Sequence, residues 1–148
     1  MNLWKVDFEN ATQKLLSTSL GQKNAYVMCG ARLRSPFSNS IFVVTGGAGK
    51  MLIVHVLKEN QLILESTQEF SKQFTNWIGT LCVLNEKSLV VCCDDGCISI
   101  FELGSDEKFF CKETISPEKK NVIYSCLSLD PSSFLVAPAN NCVELYKK

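Results

Sequence analysis

The stretch Val90-Val91-Cys92-Cys93-Asp94-Asp95-Gly96-Cys97-Ile98-Ser99-Ile100-Phe101 runs from apolar residues into an Asp-Asp-Gly turn and out into a second alternating apolar segment. Two further segments repeat the pattern: Val43-Val44-Thr45-Gly46-Gly47-Ala48-Gly49-Lys50-Met51-Leu52-Ile53-Val54 before it and Leu135-Val136-Ala137-Pro138-Ala139-Asn140-Asn141-Cys142-Val143-Glu144-Leu145-Tyr146 after it. Aligned on their turn residues, Gly96 lies 47 positions after Gly49, and Asn141 lies 45 after Gly96. Gly and Asn are the residues that most readily take positive φ, and the apolar residues that follow at every second place describe a strand with one buried face. On this alignment Met51, Ile53 and Val54 correspond to Ile98, Ile100 and Phe101, and to Val143, Leu145 and Tyr146.

Working outward from these hairpins, period-two alternation predicts short strands along the whole chain. They fall near 2–7, 13–18, 25–33, 40–46, 50–57, 61–67, 77–84, 87–93, 96–103, 108–114, 122–129, 132–138 and 141–147. Asn85-Glu86-Lys87-Ser88 and Asp130-Pro131-Ser132-Ser133 carry hairpin chemistry. Between Glu9 and Leu20, the spacing of Leu15, Leu16 and Leu20 fits one side of a helix stopped by Gly21. Thr12, Ser17, Thr18 and Ser19 favour a strand instead, because hydroxylated side chains are mediocre in helix interiors.

A repeat of about 46 residues holding four strands has the length of a propeller blade. The segment Asp94 to Leu103 resembles the WD40 repeat family, with Phe101 at the place of the family Trp and Glu102 at the place of its Asp. Val54-His55 and Tyr146-Lys147 occupy those places in the other units, and Leu3-Trp4-Lys5-Val6 looks like the tail of an earlier copy. The family's Gly-His pair has no counterpart, since His55 is the sole histidine. The resemblance implies an all-β, WD40-like partial β-propeller of about three four-stranded antiparallel blades. Residues 1–20 would end a preceding blade, 21–68 and 69–115 would each form one, and 116–148 would form an incomplete one. A ring needs at least about four blades, so this set does not close by itself. A longer polypeptide, a second copy or a partner adding strands to an open edge would complete it.

Composition narrows the function. Fifteen basic residues balance fifteen acidic ones, which removes the broad electrostatic case for nucleic acid or an anionic membrane as partner. The first twenty residues have no signal-peptide pattern, and no apolar run approaches the ~18 residues of a membrane span. The expected setting is intracellular, in cytoplasm or nucleus, where Asn10-Ala11-Thr12 reads as a chance glycosylation match.

Of the eight cysteines, Cys82, Cys92, Cys93, Cys126 and Cys142 lie in apolar runs, where a reduced thiol behaves as a small hydrophobe. Cys92, Cys93 and Cys97 give no C-x2-C pair, so no metal is expected. Gly46-Gly47-Ala48-Gly49-Lys50 fails as a phosphate loop, because Val44 stands at the first required glycine and Met51 follows the lysine. His55 has no nucleophile motif with it, and Asp94 and Asp95 beside Gly96 read as turn residues. Neither cofactor nor catalysis is expected.

Binding is the better reading. In the WD40 family the loops entering each first strand, and those joining second and third strands, line one rim where proteins dock. The resemblance carries this over to Phe70, Phe74 and Trp77, to Asp94, Asp95 and Asn140, and to the basic loop residues Lys119 and Lys120. The three aromatics have the alternative role of packing between blades. Ser116-Pro117 resembles a proline-directed phosphorylation site whose phosphate would neutralise that basic loop. The expected function is therefore a non-catalytic scaffold in a multiprotein complex. The alternatives are an accessory subunit of a partner methyltransferase or ubiquitin ligase, or a fragment of a longer WD40 protein.

Overall fold

The structure is a computed structural model that describes residues 2–7, 12–18, 26–58, 63–117 and 120–147. Thirteen strands and no helix occur among them: β1 (Asn2–Asp7), β2 (Thr12–Thr18), β3 (Val27–Arg34), β4 (Ile41–Gly47), β5 (Leu52–Lys58), β6 (Ile63–Phe70), β7 (Ile78–Val83), β8 (Ser88–Cys93), β9 (Ile98–Leu103), β10 (Phe109–Ile115), β11 (Ile123–Asp130), β12 (Ser133–Pro138) and β13 (Glu144–Lys147). The segment containing Leu15 and Leu16 is the strand β2, in line with its hydroxylated residues. Asn10 and Lys119 lie outside the described residues.

The strands form antiparallel meanders in the orders β3-β4-β5-β6, β7-β8-β9-β10 and β11-β12-β13, with a two-stranded β1-β2 sheet before them. The first strands of successive sheets lie side by side, β3 beside β7 and β7 beside β11. They run in one direction: Cys29 Sγ reaches the Ile78 carbonyl near the start of β7, while Ser128 Oγ late in β11 reaches the Leu84 carbonyl just past its end. The result is an open, partial propeller-like fold.

Strand β8 shows why the stack holds together. Its six residues are all buried, which alternation permits only when both faces of the sheet are covered. Leu89, Val91 and Cys93 enter a core shared with Leu33, Phe42, Val44, Leu52 and Val54 of the preceding sheet. Val90 and Cys92 enter a second core with Ile98, Ile100, Ile123, Phe134 and Val136. Each fully buried aliphatic or aromatic side chain contributes about 1.5–3 kcal/mol. Cys92 and Cys93 thus point to opposite sides.

Polar contacts link the first two four-stranded sheets at both ends. Gln68 on β6 forms a reciprocal pair with the backbone of Phe109 on β10, accepting from its amide at 2.7 Å and donating to its carbonyl at 3.0 Å. Phe42 meets Phe109 edge-on, with ring centroids 5.4 Å apart. At the far end of the strands, Ser38 and Ser40 in the β3–β4 loop donate to the Glu107 carboxylate in the β9–β10 turn.

The repeat is shifted by one residue from the alignment on Gly49. The residue with positive φ is Lys50 in the first hairpin (56°), Gly96 in the second (84°) and Asn141 in the third (61°). Lys50 and Gly96 donate from their amides to the carbonyls of Gly47 and Cys93, so those pairs are equivalent. The register agrees, since Val44 faces Val54 while Val90 faces Ile100 and Leu135 faces Leu145. His55, not Val54, therefore occupies the place of Phe101 and Tyr146. It is fully buried, with Nε2 3.3 Å from Thr45 Oγ1.

Candidate functional site

Each first strand begins with the same two irregularities. A register shift near the start of each strand isolates Met28 in β3, Gly79 in β7 and Tyr124 in β11. Just before each strand a carbonyl accepts the amide that follows the second strand: Tyr26 from Ala48, Trp77 from Asp94 and Val122 from Ala139, at 2.8–3.0 Å. These bonds tie the entry of every first strand to the neighbouring hairpin turn, so both loop types share one rim.

Large side chains project from this rim. Tyr26 is 83% exposed, Tyr124 71% and Trp77 46%, with Met28 also exposed. The backbone bonds at Tyr26, Trp77 and Val122 fix the path of the chain at each entry point, and Tyr124 follows Val122 at the bulge. Interfaces are enriched in large aromatic anchors of this type.

Of the residues expected to dock partners, Trp77 alone among the aromatics is exposed. Phe74 is buried and Phe70 half-buried, both against Phe101, with centroids 6.0 and 5.0 Å from its ring. They pack between the first two four-stranded sheets. Asp95 is buried in the turn, where its carboxylate accepts from Thr75 Oγ1 and, at 3.2 Å, from the Cys97 amide. Burial works against its charge, but these bonds and the nearby Lys120 outweigh it and hold the group below the usual carboxylate range. Asp94 is half-buried. Asn140 is exposed and accepts from the Cys142 amide at 3.2 Å, and Lys120 is exposed. Asp95 and Asn140 thus shape the turns, while Trp77 and Lys120 face outward.

Tyr26, Met28 and Tyr124 escaped the sequence reading. The signal was present in register, because Tyr26 stands at the same place before β3 as Trp77 does before β7. The intervening loops differ in length, which hid it.

All eight cysteines are free. Burial pushes the Cys29 and Cys93 thiols up to about 12, and hydrogen bonding to Cys126 together with burial pushes Cys82 and Cys92 upward as well. Cys142 departs from the expectation of a strand residue, since it lies exposed in the loop before β13. Among the described residues no group of three or more His, Cys, Asp or Glu is arranged to hold a metal. A cleft lined by Gly96, Pro117, Asn121, Ile123, Pro138, Glu144 and Tyr146 has a volume of about 20 Å³, room for about one water molecule. Among the described residues no helix is long and apolar enough to cross a membrane.

Comparison with known protein families and with curated proteins finds no match. Among solved structures, the chain is similar to a protein from Lactobacillus plantarum, with a TM-score of 0.74 at 14% identity. The similarity covers 99% of this chain and 44% of that one. The chain therefore spans less than half the length of the protein it matches, and the likeness is one of fold.

Proposed function

We propose that the chain is a non-catalytic scaffold of the WD-repeat type, which presents the rim of its first strands to other proteins inside the cell. The observation that carries this reading is the set of exposed Tyr26, Trp77 and Tyr124 at or next to the bonded entries of successive first strands. Asp95 is paired within its turn, and burial pushes the Cys29 and Cys93 thiols upward, which supports a binding role over a catalytic one. Eight free cysteines suit a reducing compartment. The partners are proteins that bring apolar pockets to the aromatic row, with Lys120 and Asn140 at its margin.

The test is quantitative affinity capture from native cells with the wild-type chain and with Tyr26→Ala, Trp77→Ala and Tyr124→Ala. A defined set of proteins should fall at least about tenfold in recovery with each variant, while circular dichroism stays unchanged. Recovery of the same partners at wild-type levels by all three variants would overturn the reading.

A further inference from the structure

Three thiols meet where the β7–β10 sheet packs against β11–β13. Thr80 and Cys82 are two residues apart on β7 and share a face, and the register sets Cys92 of β8 directly opposite Thr80 on that face. From the next sheet, Cys126 on β11 brings its Sγ to 3.6 Å from Thr80 Oγ1. Further along the same two strands, Ser128 Oγ lies 3.3 Å from the Leu84 carbonyl. Cys82 falls between Thr80 and Leu84, so these contacts on either side of it bring it alongside Cys126. All three cysteines pack on the core that holds Val90, Ile98 and Phe134. Cys92 is fully buried, whereas Cys82 and Cys126 are half-buried. Hydrogen bonds from Cys82, Cys92 and Thr80 outweigh burial at Cys126 and hold its thiol below the usual range, while Cys82 and Cys92 are pushed upward. A thiol drawn toward the thiolate, in partial reach of solvent and beside a second thiol, is the arrangement found at redox-sensitive cysteine pairs.

We propose that Cys126 is an oxidative modification site, attacked by hydrogen peroxide and resolved by Cys82 into a reversible disulfide between β11 and β7. In the first step the Cys126 thiolate attacks one peroxide oxygen and the O–O bond breaks. The other oxygen leaves as hydroxide and becomes water with the proton that Cys126 gave up, and Cys126 is left as a sulfenic acid. In the second step the Cys82 sulfur attacks the Cys126 sulfur, the S–O bond breaks, and hydroxide leaves as a second water with the proton from Cys82. Two electrons pass from the sulfurs to the peroxide. Cys82 is the partner because β7 lies directly beside β11, and a disulfide needs Cα atoms within about 7 Å. Cys92 stands one strand further away and is fully buried. The bond would tie β11, which carries Tyr124, to β7, which follows Trp77. A disulfide of this kind suits free thiols in reducing surroundings, where such bonds are transient and redox-sensing.

The thiol pair depends on the packing of β7 against β11 and not on partner binding at the rim, so the two readings fail separately. The experiment treats the reduced full chain with limiting hydrogen peroxide, blocks the remaining thiols with iodoacetamide and maps the peptides by mass spectrometry. The chain should become about 2 Da lighter, with Cys82 and Cys126 in one linked peptide, and dithiothreitol should restore both thiols. Cys82→Ser should stop at a Cys126 sulfenic acid, which dimedone captures, and Cys126→Ser should lose the reaction. In wild type, Cys126 should react at least about tenfold faster in the folded chain than in urea, a comparison independent of how either variant folds. A link from Cys126 to Cys92, oxidation of the exposed Cys142 ahead of Cys126, or a Cys126 no faster folded than unfolded would each overturn the proposal.

Discussion

Gly46→Ala tests the stacking of the first two four-stranded sheets where it is tightest. Gly46 lies on β4, and a Cβ built there would sit 2.5 Å from Cγ2 and 2.9 Å from Cβ of Ile78, with Cys29 Sγ at 3.3 Å. Comfortable carbon contacts begin near ~3.5 Å, so β4 and β7 must part by about 1 Å or Ile78 must leave its place. Ile78 is fully buried and β-branched at the clashing atom, so it cannot rotate away. Overpacking of this kind costs about 1–3 kcal/mol. Ile78→Ala alone removes buried methyls and costs about 2–5 kcal/mol. The pair should be non-additive, because removing Cγ2 clears the nearest of the two clashes, and the double variant should lie at least about 1 kcal/mol above the sum. Urea unfolding followed by circular dichroism, at one fixed protein concentration, measures all four corners of the cycle. Additive losses, or a Gly46→Ala chain as stable as wild type, would refute the contact between β4 and β7.

Three further outcomes follow from single sites. Burial lowers the pKa of His55 below 6.5, so the histidine is neutral in the fold; its contribution is full above the unfolded value near 6.5 and is lost as pH falls toward the folded one. Stability measured against pH should therefore drop on the acid side of about 6.5, and His55→Phe should flatten that limb. Lys50 holds a φ of 56°, a conformation that costs a side chain about 1 kcal/mol, so Lys50→Gly should raise stability by about 0.5–1 kcal/mol in urea while Lys50→Val lowers it. The Asp130 carboxylate accepts from Ser133 Oγ and from Ser132 at 2.7 and 2.8 Å, which lowers it to about 2. NMR titration should find that value, and Ser133→Ala should move it back toward the ordinary range.

Strand order was legible because β-branched and aromatic residues alternate cleanly between turns, as Ile98-Ser99-Ile100-Phe101 does after Gly96. Register was harder to read. Two glycines and an alanine precede Lys50, and sequence logic assigned the positive φ to Gly49, whereas the backbone places it on Lys50. That one residue moved His55 into the aromatic position of the repeat, where its ring nitrogen meets Thr45 Oγ1 in a buried hydrogen bond. The candidate site divides in the same way. Asp95 and Asn140 were readable as turn residues, but whether Phe70, Phe74 or Trp77 faces solvent depends on where Phe101 of the next sheet lies, which no local pattern encodes. The exposure of Leu127 and Leu145 likewise depends on what covers a sheet, not on the strand's own alternation.

The claim that the rim receives partner proteins is tested most directly by placing a photo-crosslinking side chain at Trp77, at Tyr124 and, as the opposite-rim reference, at Phe37, which is also exposed. After irradiation in native cells, Trp77 and Tyr124 should give the same discrete protein adducts and Phe37 should not. Adducts of equal yield and identity at all three positions, or none at Trp77 and Tyr124, would contradict the account.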